Sequence, residues 1–204
     1  MLTKQQLNIL SVFKKDIFTN LTFKQIKSQS NQKSNNIVQI ALKEFKIEDV
    51  IQTKETGNVT TYQLNLENNL TLDYLNLLNE LEINKRKFPK EILQEIQKKI
   101  LKYTEFFILI IFGSYVKGKA TDKSDLDVAV IVESEQTKKE IIPYLETIKR
   151  RNIKKLDYHV FMRNEFLEML KSEYENVGKQ IYKNNLIYYG FIEYCNIIRS
   201  RKNE

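Results

Sequence analysis

Two aspartates separated by a single residue stand at the start of an apolar run in the middle of the chain. Asp125 and Asp127 belong to the stretch SDLDVAVIV, and alternate residues of a β-strand point to the same face. Two neighbouring carboxylates repel each other, so a strand that begins with both favours a cation between them. Hard oxygen ligands on one face suit Mg²⁺, which binds through one or two carboxylates and substrate phosphate oxygens.

A third acid follows one strand–helix–strand step later, and a turn precedes the pair. Asp157 lies in KKLDYHVF, and the three carboxylates converge if this strand pairs beside DLDVAV. Three acids can hold two Mg²⁺ roughly 3.5–4 Å apart for in-line displacement at phosphorus. Gly113 and Ser114 follow the apolar run FFILIIF, and backbone N–H groups at such a turn can cradle a triphosphate.

These segments together resemble the DNA polymerase beta superfamily of nucleotidyltransferases. They are most similar to its minimal nucleotidyltransferases of bacteria and archaea, and the likeness covers about residues 88–162. The pattern is an apolar strand, Gly-Ser, a basic-Gly pair, Ser-Asp-x-Asp and a later acid. Here these are Gly113-Ser114, Lys117-Gly118, Ser124-Asp125-Leu126-Asp127 and Asp157. The family commonly has arginine near Lys117, and lysine keeps the charge without the bidentate fork.

The resemblance implies transfer of a nucleoside monophosphate, with AMP favoured, from an NTP to a hydroxyl of a protein or RNA. Pyrophosphate would leave. Asp125 and Asp127 would bind two Mg²⁺ ions, and Asp157 would bind the catalytic ion and accept the proton of the hydroxyl. The nucleotide would contact four further residues: Gly113, Ser114, Lys117 and Ser124.

The first 66 residues show a different pattern. Helical spacing over Thr3 to about Phe18, a short second helix, a third helix in KSNNIVQIALKEF and a hairpin around Gly57 resemble a winged helix-turn-helix. Such a domain lays its third helix in the DNA major groove. Asn36 and Gln39 would then read bases, while Lys33 and Lys43 would neutralise phosphates. A protein-docking or dimerisation module remains the alternative.

The expected fold class is α+β. A winged helix-turn-helix occupies residues 1–66, a helical connector 67–87, the nucleotidyltransferase core 88–162 and a helical C-terminal segment 163–204. The core is expected to be a small mixed β-sheet with helices on one face. Leu70 to Ile83 reads as the connecting helix, and Pro89 suits the first turn of the next one.

The composition of the chain bears on its binding partners and on its cellular location. The net charge of +7 over 204 residues favours a polyanionic partner such as nucleic acid or nucleotides. Cys195 is the only cysteine, which excludes an intramolecular disulfide and a cysteine-based zinc site and favours a cytoplasmic location. The N-terminus lacks the apolar core of a signal peptide, and no apolar run is long enough to span a membrane.

Two functions compete. The first is the active nucleotidyltransferase. The second is a DNA-binding regulator or antitoxin that uses the same fold as a nucleotide sensor or docking surface, with a HEPN-type toxin as the protein partner. Three mutually repelling acids favour catalysis. His159 could point into the site, although packing at its edge explains this residue at least as well; the C-terminal tyrosines could stack on a base, but their helical spacing favours core packing.

Overall fold

The computed structural model describes residues 2–151 and 155–201. The chain divides into two compact units, Met1–Leu78 and Asn79–Glu204. The division falls inside one helix, α4, which spans Asn69–Lys85. This helix lies where the connecting helix was predicted.

Three short helices begin the N-terminal unit: α1 (Lys4–Leu10), α2 (Phe23–Gln29) and α3 (Asn35–Ile47), with a 3₁₀ turn at Ser11–Phe13 after α1. Capping boxes start the first two, because Thr3 and Thr22 each exchange hydrogen bonds with a glutamine three residues later. The first helix ends at Leu10 and is shorter than predicted. Lys33 precedes α3 instead of lying on it, because Ser34 is the N-cap residue.

A three-stranded antiparallel sheet completes this unit, in the order β1–β3–β2. Its strands are β1 (Leu21–Thr22), β2 (Ile51–Thr56) and β3 (Val59–Leu64). Gly57 takes φ +58° in the two-residue hairpin loop between β2 and β3. Phe13, Ile26 and Phe45 from the helical part are fully buried. The three helices and the hairpin follow in the predicted order, strand β1 was not predicted, and the winged-helix assignment itself remains a prediction.

The C-terminal unit contains a four-stranded mixed sheet in the order β6–β5–β4–β7. The strands are β4 (Phe107–Ile111), β5 (Leu126–Val132), β6 (Leu156–Met162) and β7 (Leu186–Tyr189). β5 and β6 are parallel, whereas β4 runs antiparallel to both β5 and β7. The helices are α5 (Lys90–Ile100), α6 (Gly113–Val116), α7 (Glu135–Arg151), α8 (Arg163–Lys171), α9 (Val177–Lys183) and α10 (Phe191–Ser200).

Helices cover both faces of this sheet, so the prediction of helices on one face is wrong. Leu109 and Val130 share one hydrophobic cluster with residues of α5 and α7. Ile110 and Ala129, which alternate with them, are equally buried, and α10 and α8 contact β4 and β5. β4 is apolar at every position and β5 is apolar from Val128 to Val132, and such runs need cover on both sides.

The prediction of a purely helical segment over 163–204 is also wrong, because β7 forms the edge of the sheet there. Asn79 of α4 closes the outer side of this strand. Its Nδ2 donates to the Ile187 carbonyl at 2.7 Å, and the Ile187 N–H donates to its Oδ1 at 3.1 Å. Asn79 is fully buried, so its amide takes the place of a neighbouring strand. None of the helices in the described ranges is both long and apolar enough to cross a membrane.

Candidate active site

The turn after β4 and the start of β5 form the centre of the site. Phe112 N–H donates to the Asp127 carbonyl at 3.1 Å, and the chain then turns at Gly113 into α6. Gly113 has φ +70°, and a Cβ on it would lie 1.8 Å from Oδ2 of Asp127. Only glycine fits here, for reasons of backbone conformation and of space.

Asp127 and Asp157 are register partners on the adjacent parallel strands β5 and β6. Partners in register point to the same face, so the predicted pairing of the two strands is observed and brings these two carboxylates together. The Asp157 side chain is 52% exposed, whereas Asp127 is half-buried. Asp125 directly precedes β5 and is also half-buried.

Asp127 is an acid of this site whose pKa is shifted by its surroundings. Burial raises its pKa above the usual value, and the carboxylates of Asp157 and Asp125 raise it further. The Ser114 N–H, which donates to its carboxylate, opposes this rise, as does His159. The turn at Gly113 and Ser114 therefore holds the acid whose pKa is raised both by burial and by the two neighbouring carboxylates.

The three acids suit a divalent cation in their chemistry. All of their ligand atoms are hard carboxylate oxygens, the type that Mg²⁺ prefers, and Asp127 stands in a cradle that a Cβ on Gly113 would fill. Within residues 2–151 and 155–201, no three histidine, cysteine or acidic side chains are already arranged as a set of metal ligands. The carboxylates interact electrostatically, and a metal would be held by Asp127 and Asp157 with Asp125.

Two of the residues predicted to contact nucleotide lie in the loop between α6 and β5 or beside it. Ser124 Oγ accepts from the Thr121 N–H at 2.8 Å, and the Ser124 N–H donates to the Thr121 carbonyl at 3.0 Å. Ser124 therefore closes the turn that leads into Asp125. Lys117 is the C-cap residue of α6 and donates its backbone N–H to the Gly113 carbonyl. Lys117 is exposed.

Arg86 is a residue of this site that the sequence interpretation did not identify. Its Nη1 donates to the Tyr115 carbonyl at 3.3 Å, and its Nη2 pairs with Glu82 at 2.9 Å. A Cβ on Gly118 would lie 3.1 Å from the same Nη1. The guanidinium thus supports the end of α6. Arg86 is the only arginine before Arg150 in a lysine-rich chain, which is the signal that could have revealed it.

His159 lies on the same face of β6 as Asp157, with its Nε2 4.0 Å from Asp157 Oδ2. Its ring is parallel to that of Phe161 at a centroid distance of 5.7 Å, and Phe112 lies at 6.0 Å. Two of the C-terminal tyrosines pack against the fold: Tyr194 is buried and its hydroxyl accepts from the Asn185 amide, and Tyr189 stacks on Phe107.

A second surface carries the residues predicted to bind nucleic acid. Asn36, Gln39 and Lys43 are exposed on α3, and Lys33 is exposed just before it. The same helix exposes Ile40 and Ile47, at 51% and 67%. The residues named from the sequence for this surface are all polar, so the two exposed isoleucines are an addition that the structure makes. A groove of about 460 Å³ adjoins it, lined by Phe23, Gln39, Leu42, Lys43, Lys46, Ile47 and Tyr62.

Comparison with known families agrees with the site in the C-terminal unit. Residues 94–187 match the family model described as Polymerase beta, Nucleotidyltransferase. This range contains Gly113, Asp125, Asp127 and Asp157, and the match supports the polymerase beta superfamily for it. The mixed four-stranded sheet is consistent with a nucleotidyltransferase fold. No curated protein and no solved structure matches the chain.

Proposed function

We propose that this protein is a Mg²⁺-dependent nucleotidyltransferase that moves a nucleoside monophosphate, with AMP favoured, from an NTP to a hydroxyl of a protein or RNA. The observation that supports it most is the register of Asp127 and Asp157 on parallel strands beside the turn at Gly113. A strand pair with no chemical task would gain stability by losing one of two carboxylates that repel each other.

The roles follow from exposure and position. Asp127 and Asp125 would hold the cation, while the more exposed Asp157 would also accept the proton of the incoming hydroxyl. The hydroxyl oxygen would bond to the α-phosphorus as the bond to pyrophosphate breaks. Lys117 and Lys119, both exposed beyond α6, would neutralise the triphosphate. Bound Mg²⁺ would supply charge neutralisation on the phosphate oxygens.

A second candidate rests on α3. Its exposed Asn36, Gln39 and Lys43 would allow a DNA-binding regulator or antitoxin in which the nucleotidyltransferase fold senses nucleotide or docks a HEPN-type toxin. Ile40 and Ile47 on the same helix favour protein contact over DNA contact at that surface. The intact set of three acids favours catalysis as the main function.

The deciding experiment is label transfer. The full chain is incubated with each NTP labelled at its α-phosphate, Mg²⁺ and a cell lysate, and labelled protein and RNA are separated. The double variant Asp125→Asn with Asp127→Asn should abolish transfer without unfolding the chain. Glu133→Gln, an exposed acid just after β5, is the matched control. Transfer that survives the double change, or its absence from the unaltered chain with every NTP, would refute the proposed activity.

A further inference from the structure

The two edges of the four-stranded sheet differ. Asn79 closes the outer side of β7 with hydrogen bonds to both backbone groups of Ile187. β6 forms the other edge and pairs only with β5 among the strands of the described residues. Asp157, the most exposed of the three acids, lies on this open strand. The site and the open edge of the sheet therefore coincide.

The backbone groups that face outward from β6 can be identified. Leu126 N–H donates to the Lys155 carbonyl at 2.8 Å, so the groups of Lys155, Asp157 and the alternate residues after them face β5. Those of Leu156, Tyr158 and Val160 face away. Met162 follows the same alternation, because its N–H donates to the Glu165 carboxylate at 2.7 Å.

We propose that an extended segment of a protein acceptor adds to β6 as a fifth strand and so presents its hydroxyl to Asp157. This inference rests on the proposed transferase function. In an antiparallel addition, the residue opposite Asp157 takes a non-hydrogen-bonded position, with a Cα–Cα distance of about 4.5 Å and side chains close together. Its side chain points to the face of Asp127 and Asp157. A serine, threonine or tyrosine there reaches the site.

Positive charges at the two ends of β6 would favour some acceptor segments over others. Lys155 stands exposed before β6, and Arg163 stands exposed directly after it. An added strand with acidic residues toward its two ends is complementary to both cations, while the hydroxyl residue lies near one end, opposite Asp157. Main-chain hydrogen bonds would give affinity, and these flanking charges would give preference.

The bond changes are those of a simple transfer. The acceptor hydroxyl oxygen bonds to the α-phosphorus of the NTP, the bond from that phosphorus to pyrophosphate breaks, and Asp157 takes the proton. The product is a phosphodiester on the protein side chain. RNA lacks the alternating N–H and C=O groups that match a strand edge, so an RNA acceptor is the competing outcome.

The test uses a proline that removes one outward-facing donor. Val160→Pro deletes an N–H on the free side of β6 and leaves the hydrogen bonds to β5 in place. Val160→Ala, which trims the same side chain but keeps the N–H, is the matched control. Labelling of protein in the lysate should fall about tenfold or more in Val160→Pro relative to Val160→Ala, with Mg-NTP affinity equal in the two.

A second measurement covers the case in which the proline variant does not fold. The unaltered chain is given pools of nine-residue peptides with one serine, threonine or tyrosine and either acidic or basic flanks. Acidic pools should be labelled faster, and the best peptide should slow hydrogen exchange at the amides of Tyr158 and Val160. Equal labelling of the two Val160 variants, unchanged exchange at both amides, or label in RNA alone would overturn the proposal. No transfer to any acceptor would instead refute the transferase itself.

Discussion

The carboxylate of Asp127 occupies the space in which a side chain on Gly113 would begin. A Cβ at that position would lie 1.8 Å from Oδ2 and 2.6 Å from Cγ of Asp127. The position of the acid at the start of β5 therefore depends directly on the conformation of the turn that follows β4. The Ser114 N–H, which donates to the same carboxylate, also holds the acid in place. A change in the turn must change the position of the acid.

Gly113→Ala should therefore lower the transfer rate by about 10²-fold while the chain remains folded. The methyl group would displace the Asp127 carboxylate, and a misplacement of about 1 Å at a reacting centre can lower the rate by about 10²-fold. The φ of +70° adds backbone strain of about 1–3 kcal/mol. Single-turnover label transfer and urea unfolding measure the two effects. Gly113→Val should further weaken binding of the NTP.

Gly57→Ala is the control for that prediction. Gly57 has φ +58°, and apart from its chain neighbours no heavy atom of the described residues lies within 4 Å of where its Cβ would stand. The alanine there suffers the backbone strain without a collision, so its transfer rate should stay normal. If Gly113→Ala and Gly57→Ala had equal activity, the contact between Gly113 and Asp127 would have no catalytic importance.

Asp127→Asn should stabilise the metal-free protein at neutral pH. Burial raises the folded-state pKa of Asp127, so the ionised group opposes folding above that pKa. The penalty shrinks as the pH falls through the folded-state pKa and is gone below the unfolded value of about 3.9. The variant should thus melt at a higher temperature at pH 7.5 with EDTA, with a smaller gain near pH 4. Glu133→Gln should show no such trend, and an Asp127→Asn variant that is less stable at pH 7.5 would contradict the prediction.

Asp157→Asn separates binding from turnover. Asp127, Asp125 and the turn at Gly113 remain in this variant, so Mg-NTP should still bind in calorimetry. Transfer should fall by about 10²–10⁴-fold, the range for loss of a general base. Near-normal turnover would instead mean that Asp157 only orders the edge strand.

Asn79→Leu should destabilise the C-terminal unit by about 2–4 kcal/mol, because two buried backbone groups of Ile187 lose their partner. Asn84→Leu is the matched control on the same helix, where the residue is exposed, and its effect should stay within about 0.5 kcal/mol. Urea unfolding of the full chain provides both values. Equal effects would show that the Asn79 amide does not support β7.

DNA binding by the surface of α3 can be tested with promoter DNA from the gene that encodes this protein. Lys33→Ala and Lys43→Ala should weaken binding to all duplexes and reduce the salt slope by about one unit per lost phosphate contact. Asn36→Ala and Gln39→Ala should relax sequence preference with little loss of general affinity. Ile40→Ser should leave the affinity for DNA unchanged and should lower the affinity for a protein partner. If no duplex binds at low salt, the surface is a protein-docking site.

The sequence predicted those parts of the site whose signals are local. The apolar run before Gly113 identified β4, and alternation in LDYHV identified β6 and placed Asp157 on the same face as His159. The expected convergence of the acids depended on β6 pairing beside β5, and the structure shows that pairing. The roles of these residues remain proposals, but their placement together was predictable, because each strand had its own pattern and a helix of ordinary length joined β5 to β6.

Signals that depend on distant partners were missed. β7 consists of four residues among helix-like spacings, and it becomes a strand because β4 and Asn79 hold it on either side. The second helical layer could have been predicted, because the apolar runs Phe107–Ile111 in β4 and Val128–Val132 in β5 require cover on both faces. Arg86 reaches Tyr115 only in the folded chain, so spacing could not assign it.

The buried amide of Asn79 also bears on how this protein could self-associate. Open sheet edges allow copies of a protein to join strand to strand and, when both edges are open, to continue into fibres. Here one edge is occupied by a side chain of the same chain. Edge-to-edge growth through this sheet can therefore proceed only from β6, and two copies that met there would use up both free edges. Association of this kind ends at a pair and cannot propagate.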